Sequence, residues 1–262
     1  MSDVALSASD GSVRAAAAAT PDPVVLTPES QTRGFKLVGV TWDGNKVTTG
    51  DVKVKVRVRE SGTWSEWQVL GGNDDIPDAN SAEALGSTRR AGTEPLLTGG
   101  ADGVQLRVDT ADGTAPAGLQ VSLVDPGTSP GDASLDAGTP AAVANAETGA
   151  PALVTRAQWG ADESIAKPTL RNSNIKVMFV HHTATTNSYS GTAAAAAQIR
   201  AIYAYHVKVN GWYDIGYNFL VDNAGTIYAG RKGSIDELVM RAHTEGLNTD
   251  SVGTSAVGNT DI

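Results

Sequence analysis

Apolar and polar residues alternate with a period of two through much of residues 31–126. Val52, Val54, Val56 and Val58 interleave with Lys53, Lys55, Arg57 and Arg59, which sends the valines to a core and the cations to solvent. The alternation recurs at Val104, Leu106 and Val108 and at Leu119, Val121 and Leu123. Further strands are expected over 35–42 and 66–70, joined by Asp43-Gly44-Asn45, Gly71-Gly72-Asn73 and Gly99-Gly100 turn chemistry. No amphipathic helix interrupts them. The pattern predicts an N-terminal all-β sandwich-like domain over 31–126, preceded by a flexible segment over 1–30.

Residues 127–150 are rich in Ala, Gly, Pro and Thr and contain no Lys or Arg, so they bury too little apolar surface to fold alone and are expected to be a linker. Within them Gly127-Thr128-Ser129-Pro130-Gly131 fits the G-x-S-x-G pattern of serine hydrolases. A nucleophile elbow needs a strand before the Ser and a helix after it, and Pro130 in a flexible stretch supplies neither. From 151 onward the periodicity becomes mixed α/β. A buried strand is expected over 175–180. A helix is expected over 193–207, with Ile199, Ile202, Tyr203 and His206 on its apolar face and Gly211 beyond its end. A strand, turn and strand follow over 217–228, the turn being Asp222-Asn223-Ala224-Gly225, with a last strand over 252–257.

Composition narrows the chemistry. The 262 residues carry 20 Lys+Arg against 29 Asp+Glu, a net charge of −9, and no cationic cluster, so neither nucleic acid nor an anionic membrane surface is the expected partner. No apolar run reaches the length of a membrane span, and the N-terminus lacks the basic and apolar regions of a clear signal peptide. The chain has no Cys, which excludes disulfides, thiol catalysis and any thiolate metal site built from these residues. All four histidines, His181, His182, His206 and His243, fall in the α/β part. The His181–His182 pair leaves the 175–180 strand at its carboxyl end, where open α/β sheets form their sites. Strand alternation places His181 with Val177 and Phe179 and turns His182 to the opposite face.

Five segments carry a family resemblance. Val180-His181-His182-Thr183-Ala184-Thr185, Gly211-Trp212-Tyr213-Asp214-Ile215-Gly216-Tyr217-Asn218-Phe219, Gly225-Thr226-Ile227-Tyr228-Ala229-Gly230-Arg231, Ala242-His243 and Ser251-Val252-Gly253 follow in that order. The succession resembles the type 2 N-acetylmuramoyl-L-alanine amidases, which share a fold with the peptidoglycan recognition proteins and a phage lysozyme. Thr155-Arg156-Ala157-Gln158-Trp159-Gly160-Ala161 resembles the entry to that domain. The resemblance implies a C-terminal α/β amidase-like domain over 151–262, a mixed central sheet with flanking helices.

It further implies Zn2+, with His181 as its first ligand, Tyr217 beside the metal-bound water and the scissile amide, and His243 lining the groove. Zinc would lower the pKa of its water and polarise the carbonyl between muramic acid and L-Ala. The family's remaining ligands, a His and usually a Cys, follow the strand matching 252–257. The domain is therefore expected to be C-terminally incomplete, to retain zinc weakly and to hydrolyse little. The implied partner is peptidoglycan or a muropeptide, met outside the cell or in the cell wall by a monomer. The alternative is a non-catalytic recognition module or an inactive fragment.

Other candidates have plainer readings. His182 is expected to be structural and His206 a satisfied core histidine. Asp74, Asp75 and Asp78 lack calcium-ligand spacing and are expected in a solvated loop. Trp42, Trp64 and Trp67 are either core or rim aromatics or a face on which a glycan stacks.

Overall fold

The computed structural model describes residues 2–5, 22–44, 52–73, 76–87, 90–136, 151–172, 174–183 and 187–259. Its N-terminal part contains β1 (Ser2–Ala5), β2 (Val25–Leu26), β3 (Ser30–Asp43), β4 (Val52–Glu60), β5 (Thr63–Trp64), β6 (Gln68–Leu70), the single-turn helix α1 (Ala82–Leu85), β7 (Arg90–Gly92), β8 (Leu96–Thr110) and β9 (Gln120–Val124). The valine alternation in β4 works as expected. Val54, Val56 and Val58 are buried beside Phe35, Val40, Trp42, Leu106 and Val121, and Arg59 reaches Asp102 across the ladder with two bonds of 2.8 and 2.9 Å.

Among the described residues the strands join in one antiparallel nine-stranded network, ordered β1-β9-β3-β8-β4-β5 with β2, β6 and β7 off that path, an arrangement open to a sandwich-like domain in which bent strands pass from one sheet to the other. The long strands β3 and β8 allow this: register shifts between Gln31 and Leu37 let the network bend around its own core. The leading segment is also not wholly free chain, because β1 pairs with β9 and β2 with β8.

The expected linker likewise begins as packed structure. Helix α2 (Asp132–Asp136) buries Leu135, and Asp132 binds Arg200 at 2.8 and 2.9 Å. Ser129, the serine of the hydrolase-like pattern, accepts the Gly131 N–H at 3.3 Å in the turn before α2. Residues 137–150 lie outside the described residues.

The C-terminal part holds β10 (Leu153–Val154), α3 (Arg156–Trp159), β11 (Val177–His182), α4 (Thr192–Ala204), a π-helical turn (Tyr205–Val209), β12 (Phe219–Val221), β13 (Ile227–Ala229) and β14 (Ser251–Ala256). Its five-stranded mixed sheet runs β10-β13-β12-β14-β11. Thr155 and Gln158 close a capping box on α3, and Gly160 ends that helix with φ +79°. Asp222 Oδ1 accepts the Ala224 and Thr226 N–H groups, which folds the expected turn between β12 and β13.

Strand β11 departs from expectation. Among the described residues it lies at the edge of the sheet and pairs only with β14, and Val177, Met178 and Val180 are 43%, 58% and 74% exposed. A run of apolar residues specifies a strand but not how many of its sides are covered.

Helix α4 shows the opposite case. Its stripe of Ile199, Ile202 and Tyr203 is buried as expected, and so is His206 in the π-helical turn that follows, but Ala195, Gln198 and Arg200 are buried too, because the helix lies between the C-terminal sheet and the N-terminal domain. At its end Tyr205 is inserted against Gly39 of β3, where an added Cβ would overlap the tyrosine ring, and its hydroxyl donates to Thr93 O at 3.2 Å. Gly39→Val should therefore expel Tyr205 and cost about 1–3 kcal/mol by overpacking, read as a lower denaturation midpoint. Tyr205→Ala in the same background should recover part of that loss.

Candidate functional site

The carboxyl end of β11 carries the site. His181 is half-buried there, and its Nε2 lies 2.8 Å from Nδ1 of His243. Thr244 Oγ1 stands 3.0 Å from the same His243 nitrogen and 3.4 Å from His181 Nε2. The Phe179 ring lies 5.6 Å from that of His243, and the Tyr217 ring lies 6.0 Å from that of His181. The three predicted site residues, His181, Tyr217 and His243, are thus brought together from β11, the loop before β12 and the loop before β14.

Their exposures differ from the expected groove. His243 is fully buried, so it lies beneath His181 instead of lining an open surface. Gly253 of β14 makes the room: a Cβ there would collide with the His243 ring. Burial first, and then His181, Arg241 and Arg231, push the His243 pKa down to about 3, while burial and His182 lower that of His181. Both imidazoles are consequently neutral near pH 7, and one ring N–H donates to the other ring's nitrogen.

His182 points away from His181, as the alternation requires. It lines a 20 Å3 void with His206, Tyr217, Asn73 and Glu94, a volume of about one water. His206 is the expected core histidine: its Nδ1 accepts the Gly216 N–H at 3.1 Å and its ring lies 4.3 Å from Trp212. Burial pushes its pKa down to about 3. A group whose folded pKa is depressed below 6.5 binds more protons unfolded, so its stabilisation is complete above pH 6.5 and is lost as pH falls toward 3. Between pH 7.5 and 5.0, His206 alone should lower the unfolding free energy by about 2 kcal/mol. Urea titrations at the two pH values measure this, and His206→Asn, which keeps an acceptor for Gly216, should flatten the dependence. An unchanged slope in that variant would refute the assignment.

Sequence reasoning missed the residues that hold this arrangement from the other domain. Asp78, expected in a solvated loop, accepts the Gly246 N–H at 2.8 Å and the Asn248 side-chain amide at 2.7 Å. Asn248 is fully buried. Its Oδ1 accepts the His243 and Thr244 N–H groups at 2.8 and 3.1 Å, and its amide also donates to Ile76 O. A second link joins Glu83 of α1 to Arg231 through bonds of 2.7 and 2.9 Å, with side chains 1% and 3% exposed. Glu83 also accepts the Tyr213 N–H. These pairings join residues about 130 to 170 positions apart, a range over which periodicity carries no signal. Asp74 and Asp75 lie outside the described residues. The tryptophans divide: Trp42 is core, and Trp64 and Trp67 flank Arg57, whose guanidinium lies 5.3 and 5.2 Å from the two rings.

The model of the N-acetylmuramoyl-L-alanine amidase family matches residues 171–261, the stretch that contains all three site residues. This part of the chain belongs to that family. A second model, described as Rv3811 N-terminal galactose-binding domain-like, matches residues 4–133. Outside those models, the amidase-family domain is 41% identical over 96 residues to peptidoglycan-recognition protein SC2 of Drosophila simulans, covering 37% of this chain and 50% of that protein. It is 37% identical over 86 residues to the endolysin of Enterobacteria phage T3, covering 33% and 50%. The chain thus spans about half the length of these curated relatives. Among solved structures, bumblebee PGRP-SA matches with 34% identity over 42% of this chain and 62% of that chain, at a TM-score of 0.37.

Zinc, the metal implied by the amidase resemblance, does not fit the described residues of this domain. A catalytic zinc takes three protein ligands and a water, and two nitrogens on one tetrahedral ion sit about 3.3 Å apart. The His181 and His243 nitrogens at 2.8 Å are instead hydrogen-bonded to each other, and no group of three or more His, Cys, Asp or Glu that could hold a metal occurs among the described residues.

Proposed function

We propose that the protein acts on peptidoglycan at the amide between N-acetylmuramic acid and L-alanine, and does so in the cell wall or outside the cell. The convergence of His181, Tyr217 and His243 carries this reading, because these are the positions where the ordered family motifs place the chemistry. In it, His181 faces the scissile amide, and the buried His243 fixes the tautomer and direction of its ring. Tyr217 directs its phenol toward the carbonyl oxygen, where a donor is worth most as negative charge develops. Zinc hydrolysis would need ligands beyond the described residues.

The mutual hydrogen bond of the two histidines favours a second reading for these residues, recognition of the muropeptide without cleavage. Calorimetry with N-acetylmuramoyl-tripeptide, paired with detection of newly freed L-Ala amino groups from purified cell walls in zinc-containing buffer, separates the two. Binding with little release is expected from residues 1–262, and His181→Ala should weaken the binding. Absence of any binding would sink both readings. Stoichiometric zinc retention with sustained release would establish the first for this chain unaided.

A further inference from the structure

Trp64, one of the aromatics set apart in the sequence and not used by the site above, lines a cleft of about 510 Å3 between the two domains. On the N-terminal side the cleft is formed by Trp64 with Glu60, Thr63 and Gln68, and on the other side by Ser188 and Asn259 of the amidase-family domain. Its volume is that of a small-ligand site. Its chemistry is selective: one half-exposed indole, a carboxylate, two amides and hydroxyls beside a few aliphatic side chains, with no Lys or Arg among the described lining residues. Such a wall suits a neutral polyhydroxylated chain, whose pyranose C–H faces pack on an aromatic ring while its hydroxyl and acetamido groups meet polar side chains. An anionic ligand finds no cation there. The Trp64 ring is held in place by Arg57, stacked at 5.3 Å and tied to Gln105 at 2.6 Å and Glu29 at 2.5 Å.

The cleft is also joined to the site. Asn259 and Asn187 exchange two hydrogen bonds of 2.8 Å. The neighbouring Gly258 N–H donates to Thr183 Oγ1 at 2.9 Å, and Thr183 directly follows His182 on the strand that carries His181. A stem-peptide amide held at His181 remains attached to a sugar strand, and that strand is neutral once each lactyl carboxyl is in amide linkage.

We infer that the Trp64 cleft is a binding site for the glycan strand of peptidoglycan, shared by both domains and separate from the site for the peptide stem. The inference rests on the function proposed above only for the identity of the polymer. Its test uses two probes on the full chain: peptide-free glycan strands prepared from peptidoglycan, with their lactyl carboxyls converted to methylamides so that the strand is neutral, and monomeric N-acetylmuramoyl-tripeptide. Wild type should bind both. Trp64→Ala should bind the strands about tenfold more weakly, Trp64→Phe should stay within about threefold, and both should bind the monomer as wild type does. Gln68→Ala, at an exposed side chain, should weaken strand binding in the same direction even if Trp64→Ala fails to fold. Failure of wild type to bind these neutral peptide-free strands, or strand affinity as in wild type in both Trp64→Ala and Gln68→Ala, overturns the cleft. Strand binding without monomer binding would uphold the cleft and remove the proposed function.

Discussion

Glu83→Ala should destabilise the protein by about 3–5 kcal/mol, the cost of removing one partner from a buried ion pair, and lower the thermal midpoint by about 10 °C. The magnitude follows from what would be left behind. Arg231 is 3% exposed and takes both Glu83 oxygens, and among the described residues its further bonds go only to the carbonyls of Ile215, Met240 and Asp214. Arg241, 1% exposed, has no hydrogen-bond partner for its three guanidinium nitrogens among the described residues, and burial with the nearby Arg231 charge pushes its pKa down to about 10. Glu83 is therefore the carboxylate that offsets charge at this seam, and without it two cations face each other in a poorly solvated space. Glu83→Gln keeps the volume and some acceptor capacity, so it should cost less than Glu83→Ala. The double variant Glu83→Leu with Arg231→Met should recover most of the loss, since replacing both members of a buried pair by apolar groups is often near neutral. Chemical denaturation of the four proteins measures this. A loss below about 1 kcal/mol in Glu83→Ala would show that water reaches the seam.

The same seam marks where the sequence stopped being readable. The valines of β4, the Asp222 turn and the buried stripe of α4 were legible because each obeys a rule acting within a few residues. His206 was legible as a core residue for the same reason, continuing that stripe at helical spacing. The order of the family motifs pointed to His181, Tyr217 and His243, which the fold brings close together. What could not be read was which surfaces meet. The edge position of β11, the burial of α4 on nearly every side and the insertion of Tyr205 beside Gly39 all depend on a neighbour contributed from far along the chain. Asp78 shows this most clearly. In isolation Asp-Ala-Asn-Ser at 78–81 is turn chemistry, and only the fold reveals a carboxylate accepting bonds from a loop about 170 positions away.

That carboxylate leads to the second large effect. Asn248→Ala should cost about 3 kcal/mol or more and weaken muropeptide binding out of proportion to the stability lost. The fully buried amide joins four partners: His243 N, Thr244 N, Ile76 O and Asp78 Oδ1. Truncation leaves two backbone donors and two acceptors without it, each a desolvated group costing about 1–3 kcal/mol if unmatched. The first two donors flank the ring whose Nδ1 meets His181, so freeing them releases His243 to turn and leaves the direction of the His181 imidazole unset. Asp78→Ala makes the contribution of the N-terminal domain separable, since it removes the carboxylate and leaves Asn248 to hold His243. It should cost less stability than Asn248→Ala but shift the His181 and His243 ring resonances at fixed pH in the same direction. Asp78→Asn, which retains an acceptor for Gly246 and Asn248, should restore those resonances. If Asp78→Ala leaves both rings and the muropeptide affinity unchanged, the N-terminal domain is a neighbour of the site and not one of its supports.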